Sequence, residues 1–567
     1  MEKRWVEQPK GNKKVISRLA QELNIDPVLS TVLVQRGVTD FESAKAFFRP
    51  SLQDLHDPFL MRDMDLAIGR IDKAIGNKET VLIYGDYDVD GTTAVALLYM
   101  FLRNYHSQIL YYVPDRYKEG YGISHQGIDF AEENGCSLII ALDCGIKSLE
   151  EVDYAKSKGI DFIIGDHHMP GEGLPNAVAV LDPKRADCSY PFKELSGCGI
   201  GFKVIQAFVK ANGLQDSEAY QYLDLVAVSI ASDIVPVLGE NRVLAYFGLQ
   251  KLNQNPCCGL KALIDVASKK ENLTLNDIIF QIGPRINAAG RIHHAKGAVQ
   301  LLTAKTLAEA TSFCEVVDGQ NTERKDVDMR ITAQALDKIR KDQSLINRKT
   351  TVVYQEDWHK GVIGIVASRL TETFYRPTIV LTRSNGHVSG SARSVVGFDL
   401  YEALCECQDL FEQFGGHKYA AGLTMSVENV PALQQRFEEV VSQRITPELL
   451  KPEILIESTL RLKSITGKFV RIMRQFAPHG PENPMPIFVS KQVFAVGAAM
   501  IVGINHVKMY IQQEDSPVFP CIGFGLAEHI DGINKGLPFD ICYTIEENVW
   551  REKRTLQLHV KSLRFYR

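Results

Sequence analysis

The 567-residue chain has little cysteine for its length, 11 residues, and no two of them form a Cys-x-x-Cys pair. Cys257-Cys258 and Cys405-Glu406-Cys407 come closest, and neither has the spacing of a structural zinc site. Reduced, mostly buried thiols are therefore expected, with no disulfide framework. Long apolar runs are also missing. No window approaches the ~20 uninterrupted apolar residues of a membrane span, so no membrane association is expected. Met1-Glu2-Lys3-Arg4-Trp5 has no apolar core of a secretory signal, and a cytoplasmic location is the expectation. There is no basic surplus, since 64 Lys+Arg face 69 Asp+Glu for a net charge of −5. Contact with a polyanion therefore needs a local basic groove rather than a whole-surface field. No internal repeat or low-complexity tract is evident, and the length allows three or four domains of about 100–200 residues.

What is present is a change of pattern along the chain. Residues 1–77 read as helical, with apolar spacing over Val15–Leu23 and Pro27–Gly37, and with helices starting at Asp40 and Met64. From 78 to about 305, short apolar runs at 81–85, 109–113, 138–142, 161–165 and 177–181 alternate with helical segments near 92–105, 124–134 and 148–158, followed by a mostly helical stretch. That alternation predicts an α/β fold with a parallel sheet. Residues 306–346 are charge-rich with periodic apolar positions and predict a long connecting helix. A smaller α/β unit follows over 347–451, with strands at 351–354 and 378–381 around a helix from Gly361 to Thr373. Residues 452–567 turn β-rich and predict a small barrel, of which the oligonucleotide-binding type is one form.

Four clusters carry the chemistry. Asp86-Tyr87-Asp88-Val89-Asp90-Gly91 follows the first strand, Asp143 the third, and Asp166-His167-His168 the fourth. Asp233, in Ala231-Ser232-Asp233-Ile234, is read as ending a further strand. In open α/β sheets, ligands bind beyond the carboxyl ends of the strands, which is where these groups fall. Each cluster alone has a plain explanation, such as a polar turn, a calcium loop or surface histidines. Together at one sheet edge the carboxylates need a cation. Asp88, Asp90, Asp143, His167 and Asp233 suit two divalent ions that bind oxygen and imidazole, Mn²⁺ or Mg²⁺. If 86–90 stays extended, its alternate aspartates face one way, and Gly91 releases the chain into a helix near Thr92. His168 then points away from His167, toward a phosphate, and Asp166 is placed to orient an imidazole.

The stretches Tyr84–Gly91 and Gly165–His168 resemble the DHH phosphoesterase superfamily. Val113–Gly122, Leu142–Gly145, Gly197–Lys203, Gly283–Arg291, Gly361–Leu370, Ser389–Ser394 and Gly415–His417 resemble more narrowly the RecJ family of single-strand-specific exonucleases. The resemblance spans about residue 20 to the C-terminus. It implies a DHH catalytic domain, a long connecting helix, a DHH-associated domain and an oligonucleotide-binding barrel. It also implies 5′-to-3′ digestion of single-stranded DNA to 5′-mononucleotides with two Mn²⁺ or Mg²⁺ ions, in repair and recombination. Carried over by position, the metal residues are Asp86, Asp88, Asp90, Asp143, His167 and Asp233, with Asp88 and Asp90 on different ions and Asp143 between them. His168 joins Asp88, Asp90, Asp143 and His167 in catalysis. Arg116, Ser391 and Arg393 match motifs that cap a 5′ phosphate, while Arg285, Asn287 and His417 match motifs that hold backbone phosphates. The expected partners are single-stranded DNA, a single-strand-binding protein and a helicase, and the expected state is a monomer. Phe488, Tyr510 and Phe524 are candidates for base stacking on the barrel, with core packing the commoner role for such residues. His479 stands where an apolar residue is expected.

Two other readings compete. A phosphodiesterase for short oligonucleotides or cyclic dinucleotides does not need the region after 452. A non-catalytic scaffold would have lost some of the metal-type residues, and all are present.

Overall fold

In the computed structural model, which describes residues 3–267, 272–550 and 553–566, the apolar run after Thr80 forms the strand Thr80–Gly85. Val81 to Tyr84 are all buried, as in a parallel strand covered on both faces. The sheet has five parallel strands in the order Ile109–Tyr112, Thr80–Gly85, Cys136–Leu142, Asp161–Gly165, Ala179–Leu181. The helices Val89–Leu102, His125–Glu133 and Leu149–Ser157 connect the first four in chain order. The first of these five strands in chain order thus lies between the second and third. The direction of winding reverses there, and such a switch point opens a crevice at the carboxyl ends of the two strands. Asp86 follows one of them and Asp143 the other.

The chain forms two compact units. The larger comprises residues 7–290, 294–317 and 455–567, and the smaller comprises 1–6, 291–293 and 318–454. The expected connecting helix is Leu307–Lys341, after which Asp342 caps the short helix Gln343–Ile346. In the smaller unit a five-stranded mixed sheet runs Gln413–His417, Ala420–Met425, His387–Arg393, Thr378–Ser384, Thr351–Tyr354, with the helix Ile363–Phe374 following the last-named strand in the chain. No helix among the described residues is long and apolar enough to cross a membrane.

The β-rich region closes on itself. Phe488–Ala495 pairs with both Phe539–Trp550 and His506–Gln512, and Phe519–Gly523 pairs with both His506–Gln512 and Lys553–Phe565, completing a five-stranded barrel. Its core is not its own. Leu19, Leu29, Leu33 and Phe47 from the N-terminal helices share one apolar cluster with Phe476, Phe488, Val507 and Phe539. Arg242 reinforces this junction by donating to the carbonyls of Phe47, Phe476, Gln475 and Ala477 with its guanidinium 3.8 Å over the Phe47 ring. His479, half-buried beside this junction, is tolerated despite its polarity, because partial burial lowers its pKa to about 4 and keeps the ring neutral. Phe488 is a fully buried core residue, while Tyr510 and Phe524 are 44% and 54% exposed. Phe524 stands between the rings of His506 and His559, 4.8 Å from each.

Candidate metal centre

The chain does not stay extended through the first cluster. The helix starts at Val89, Asp88 is its N-cap accepting from Gly91 N at 3.1 Å, and Asp90 lies in its first turn. The tight turn rests on Gly91, because a Cβ there would overlap the Asp86 backbone. A helical turn rather than strand alternation therefore separates Asp88 from Asp90. Asp233 also departs from expectation. It ends the buried helix Leu223–Ser232 rather than a strand, and Ile234 after it turns away at φ 60°. The apolar run that reads as a strand is a helix buried on all sides, which periodicity does not distinguish.

The remaining ligand candidates follow strands. Asp143 adopts φ 62°, an unfavourable conformation for a residue with a side chain, held in place by packing against Gly197, where a Cβ would come within 2.5 Å of the Asp143 Cβ. His167 enters the cluster from the next strand end. Its Nε2 lies 3.2 Å from Asp143 Oδ1, 3.6 Å from Asp233 Oδ2 and 3.8 Å from Asp90 Oδ2. Three sets of side chains bring donor atoms within 4.8 Å of one another: Asp86, Asp88 and Asp143; Asp90, His167 and Asp233; and Asp143, His167 and His168. Donors around one small divalent ion sit roughly 3 Å apart, as bonds of about 2.0–2.1 Å at right angles require.

The electrostatics test whether cations fit. Asp86 Oδ1 and both ring nitrogens of His167 are buried without a hydrogen-bond partner, an arrangement that is costly unless a further ligand satisfies them. Burial and the charge of Asp88 push the Asp86 carboxyl well above its usual pKa. Burial, then Asp90 and Asp88, do the same for Asp143 and raise Asp233 to about 8. Burial lowers the His167 pKa, favouring the neutral ring that offers a lone pair. Crowded acids beside a neutral imidazole are the chemistry of a divalent cation site.

His168 does not point away from His167 as an extended segment would have it: the two ring centroids lie 4.6 Å apart, and both histidines share a set with Asp143. The Nδ1 of His168 lies 2.7 Å from Asp166 Oδ1 and its Nε2 lies 3.2 Å from the Tyr121 hydroxyl. Burial opposes its charge, but the bond to Asp166 prevails and raises its pKa. Burial would likewise raise Asp166, yet His168 and the backbone N–H groups of Ile146 and His168 hold it down to about 2. Tyr121 escaped the sequence reading, although it lies inside the Val113–Gly122 stretch. So did Ser229, whose hydroxyl lies 2.7 Å from Asp90 Oδ1, and Ser196, which reaches Asp90 through Ser229.

The phosphate candidates fall in both units. In the larger, the Arg116 guanidinium lies 5.0 Å over the Tyr87 ring. Arg285 and Asn287 lie on the helix Gly283–Ile292, which runs past the metal centre. At its start a Cβ on Gly283 would come within 2.8 Å of Ser232 Oγ, beside Asp233, and near its end one on Gly290 would come within 2.7 Å of the Tyr87 carbonyl, beside Asp86 and Asp88. In the smaller unit, His417, Ala420 and Arg393 are direct neighbours across three adjacent strands, as are Gly415, Gly422 and Ser391. The two glycines leave open floor beside Ser391. Arg393 Nη1 lies 3.1 Å from Ser391 Oγ, and a Cβ on Gly364, in the first turn of Ile363–Phe374, would lie 3.1 Å from both side chains. A guanidinium, a hydroxyl and a helix N-terminus thus converge, a combination suited to anions.

Comparison with known proteins agrees with this geometry. Residues 80–230 match the DHH family N-terminal domain, 347–443 the DHHA1 domain and 456–562 the RecJ OB domain. The chain is 38% identical to the single-stranded-DNA-specific exonuclease RecJ of Bacillus subtilis over 563 residues, 99% of this chain and 70% of that protein. It is 31% identical to the Escherichia coli protein of the same name, covering 95% of this chain and 96% of that one. A crystal structure of Thermus thermophilus RecJ in complex with Mn²⁺ shares the fold at TM-score 0.85 and 24% identity, covering all of this chain and 80% of that one. A structure of exonuclease RecJ bound to manganese matches at TM-score 0.60 and 29% identity, over 70% of this chain and 98% of that one. With three domain matches in order and this identity over nearly its whole length, the chain belongs to the RecJ family of single-stranded-DNA-specific exonucleases, metal-dependent nucleases built on a DHH phosphoesterase domain.

Proposed function

We propose that this chain digests single-stranded DNA from the 5′ end, releasing 5′-mononucleotides by two-ion phosphodiester hydrolysis, in DNA repair and recombination. The observation that carries the reading is the cluster at the sheet's switch point, where carboxylates and a neutral imidazole crowd together with buried polar atoms left unpartnered. The relatives named as RecJ exonucleases, two of them solved with Mn²⁺, support it.

Asp86, Asp88 and Asp143 would hold one Mn²⁺ or Mg²⁺ ion, and Asp90, His167 and Asp233 the other, with Asp143 and His167 each also within reach of the opposite set. Bound there, the ions supply Lewis acidity toward the phosphate oxygens and lower the pKa of the attacking water. His168, whose charged form the bond to Asp166 favours, would donate to a phosphate oxygen as charge builds on it. The Tyr121 hydroxyl steers His168 Nε2. Arg285 and Asn287, on the helix passing the centre, hold backbone phosphates in register. In the smaller unit Ser391 and Arg393 would cap a terminal 5′ phosphate, Arg393 through its planar fork, with His417 in the same row adding a backbone contact, and in the larger unit Arg116 offers a guanidinium for the same class of ligand. The exposed Tyr510 and Phe524 offer rings for bases to stack on.

The test incubates the full chain and Mn²⁺ with a 5′-labelled single strand, the matching duplex and a dinucleotide. Rapid release of labelled mononucleotide from the single strand alone is expected. Preferential cleavage of the dinucleotide, or label released only late from the single strand, rejects the proposal.

A further inference from the structure

Of the five aspartates in the two sets, Asp90 accepts three hydrogen bonds, and they are unevenly shared. Oδ1 accepts from Cys198 N at 2.8 Å and from the Ser229 hydroxyl at 2.7 Å. Oδ2 accepts from Gly197 N alone, at 2.7 Å, and it is the oxygen that approaches His167 Nε2. One oxygen is thus turned into the protein, and the other keeps a lone pair for the centre.

The Ser229 hydroxyl also lies 2.6 Å from Ser196 Oγ, and both serines are fully buried. Counting protons sets the direction of these bonds. Ser196 Oγ already accepts from Gly199 N at 3.1 Å, as N-cap of the helix Gly197–Ala211, so its own proton is available to Ser229. Ser229 can then give its single proton to Asp90. The backbone of Gly197 and Cys198 and the hydroxyl of Ser229 together fix the carboxylate in one rotation.

Ser229 sits one helical turn before Asp233, whose N–H donates to the Ser229 carbonyl at 2.9 Å. Residues four apart share a helix face. One face of Leu223–Ser232 therefore anchors Asp90 through Ser229 and leads directly into Asp233, and both carboxylates belong to the set completed by His167. Among the described residues the hydrogen bonds of the two serine hydroxyls run to Asp90, Gly199 and each other, not to Asp86, Asp88 or Asp143.

We propose that Ser229, backed by Ser196, is a positioning residue for one of the two ions only, the one held by Asp90, His167 and Asp233. The inference rests on the two-ion reading above. Outer-shell partners of this kind change metal affinity by roughly 10–100-fold. Ser229 does not touch the reacting atoms, so its removal separates the affinities of the two ions without altering the strand contacts.

The experiment titrates Mn²⁺ into chelator-stripped full-length protein by calorimetry, comparing the unaltered chain with Ser229→Ala, Ser229→Thr and Ser196→Ala. Two binding events are expected in the unaltered chain. Ser229→Ala should weaken one event by roughly 10–100-fold and leave the other within about twofold. Ser229→Thr, which keeps the hydroxyl, should restore most of the loss. Ser196→Ala should weaken the same event by less, and it carries the test if melting in chelator shows that Ser229→Ala has lost its fold. Two events left unchanged, or weakened equally, overturn the inference. A single event in the unaltered chain overturns the two-ion reading instead.

Discussion

Two sheet edges in this protein, one at the carboxyl ends of parallel strands and the other on a strand antiparallel to both its neighbours, each meet the first turn of a helix and are charged oppositely. In the larger unit, strands ending at Gly85, Leu142 and Gly165 meet the first turn of the helix Val89–Leu102, and the side chains delivered there are Asp86, Asp88, Asp90, Asp143 and His167. In the smaller unit, the strand His387–Arg393 meets the first turn of Ile363–Phe374, and the side chains delivered are Ser391 and Arg393. A helix N-terminus favours anions, so the second edge reinforces its backbone field. The first edge answers the same field with carboxylates until they exceed what backbone donors neutralise. Asp88 caps one helix and Asp90 occupies the N-terminal N–H groups of another, yet Asp86, Asp88, Asp143 and Asp233 all have raised pKa values. The excess negative charge is what distinguishes a cation site from an ordinary capped helix.

The largest test of this contrast removes a carboxylate from the first edge. Asp88→Ala should lower hydrolysis of single-stranded DNA by about 10³-fold, equivalent to about 4 kcal/mol of lost transition-state stabilisation, while the strand dissociation constant changes little. Normal turnover in this variant would sink the metal assignment.

The pH dependence comes next. Raised carboxyl pKa values mean that the metal-free fold holds protons more tightly than the unfolded chain does. The contribution of these carboxyls to the stability of the chelated protein is therefore fully present below the usual carboxylate range and is lost as pH rises through about 8, the value for Asp233. Mn²⁺ competes with those protons, so its apparent affinity should rise about tenfold per pH unit for each proton released. Melting curves in chelator and in Mn²⁺ between pH 5 and 9 should diverge as pH increases. A gap that stays constant would show that the acids are already ionised without metal.

The smallest effect is expected at the second edge. Arg393→Ala should reduce the preference for 5′-phosphorylated over 5′-hydroxyl strands by about tenfold or somewhat more, the scale of one charged hydrogen bond at about 1.5–3 kcal/mol. Initial rates on the two substrates measure it, and an unchanged ratio removes Arg393 from the end cap.

Much of this was legible before folding. The strands at 81–85, 138–142 and 161–165 were readable because parallel strands buried on both faces leave continuous apolar runs, and the acids at their ends interrupt those runs abruptly. The placement of Asp233 was not readable as a helix end, because Leu223–Ser232 is buried all round and shows no amphipathic stripe. The rotation of Asp90 was equally hidden, since it depends on Gly197, Cys198 and Ser229, which lie 107, 108 and 139 residues along the chain. Tyr121 was within view, but nothing local marks one tyrosine in a polar loop as the partner of a histidine 47 residues away.

The sequence by itself determined the elements and the chemical inventory: which runs become strands, where each acid stands relative to a strand end, and that a long helix precedes the second α/β unit. These follow from local periodicity and from the cost of burying charge, both properties of short stretches. The tertiary structure alone decided the register of the switch point, the pairing of Asp90 with the start of a distant helix, and the fusion of the N-terminal helices with the barrel into one core. Those depend on which buried surfaces meet, and hydrophobic burial is non-directional, so the partner of a given face is chosen by the packing of the whole chain.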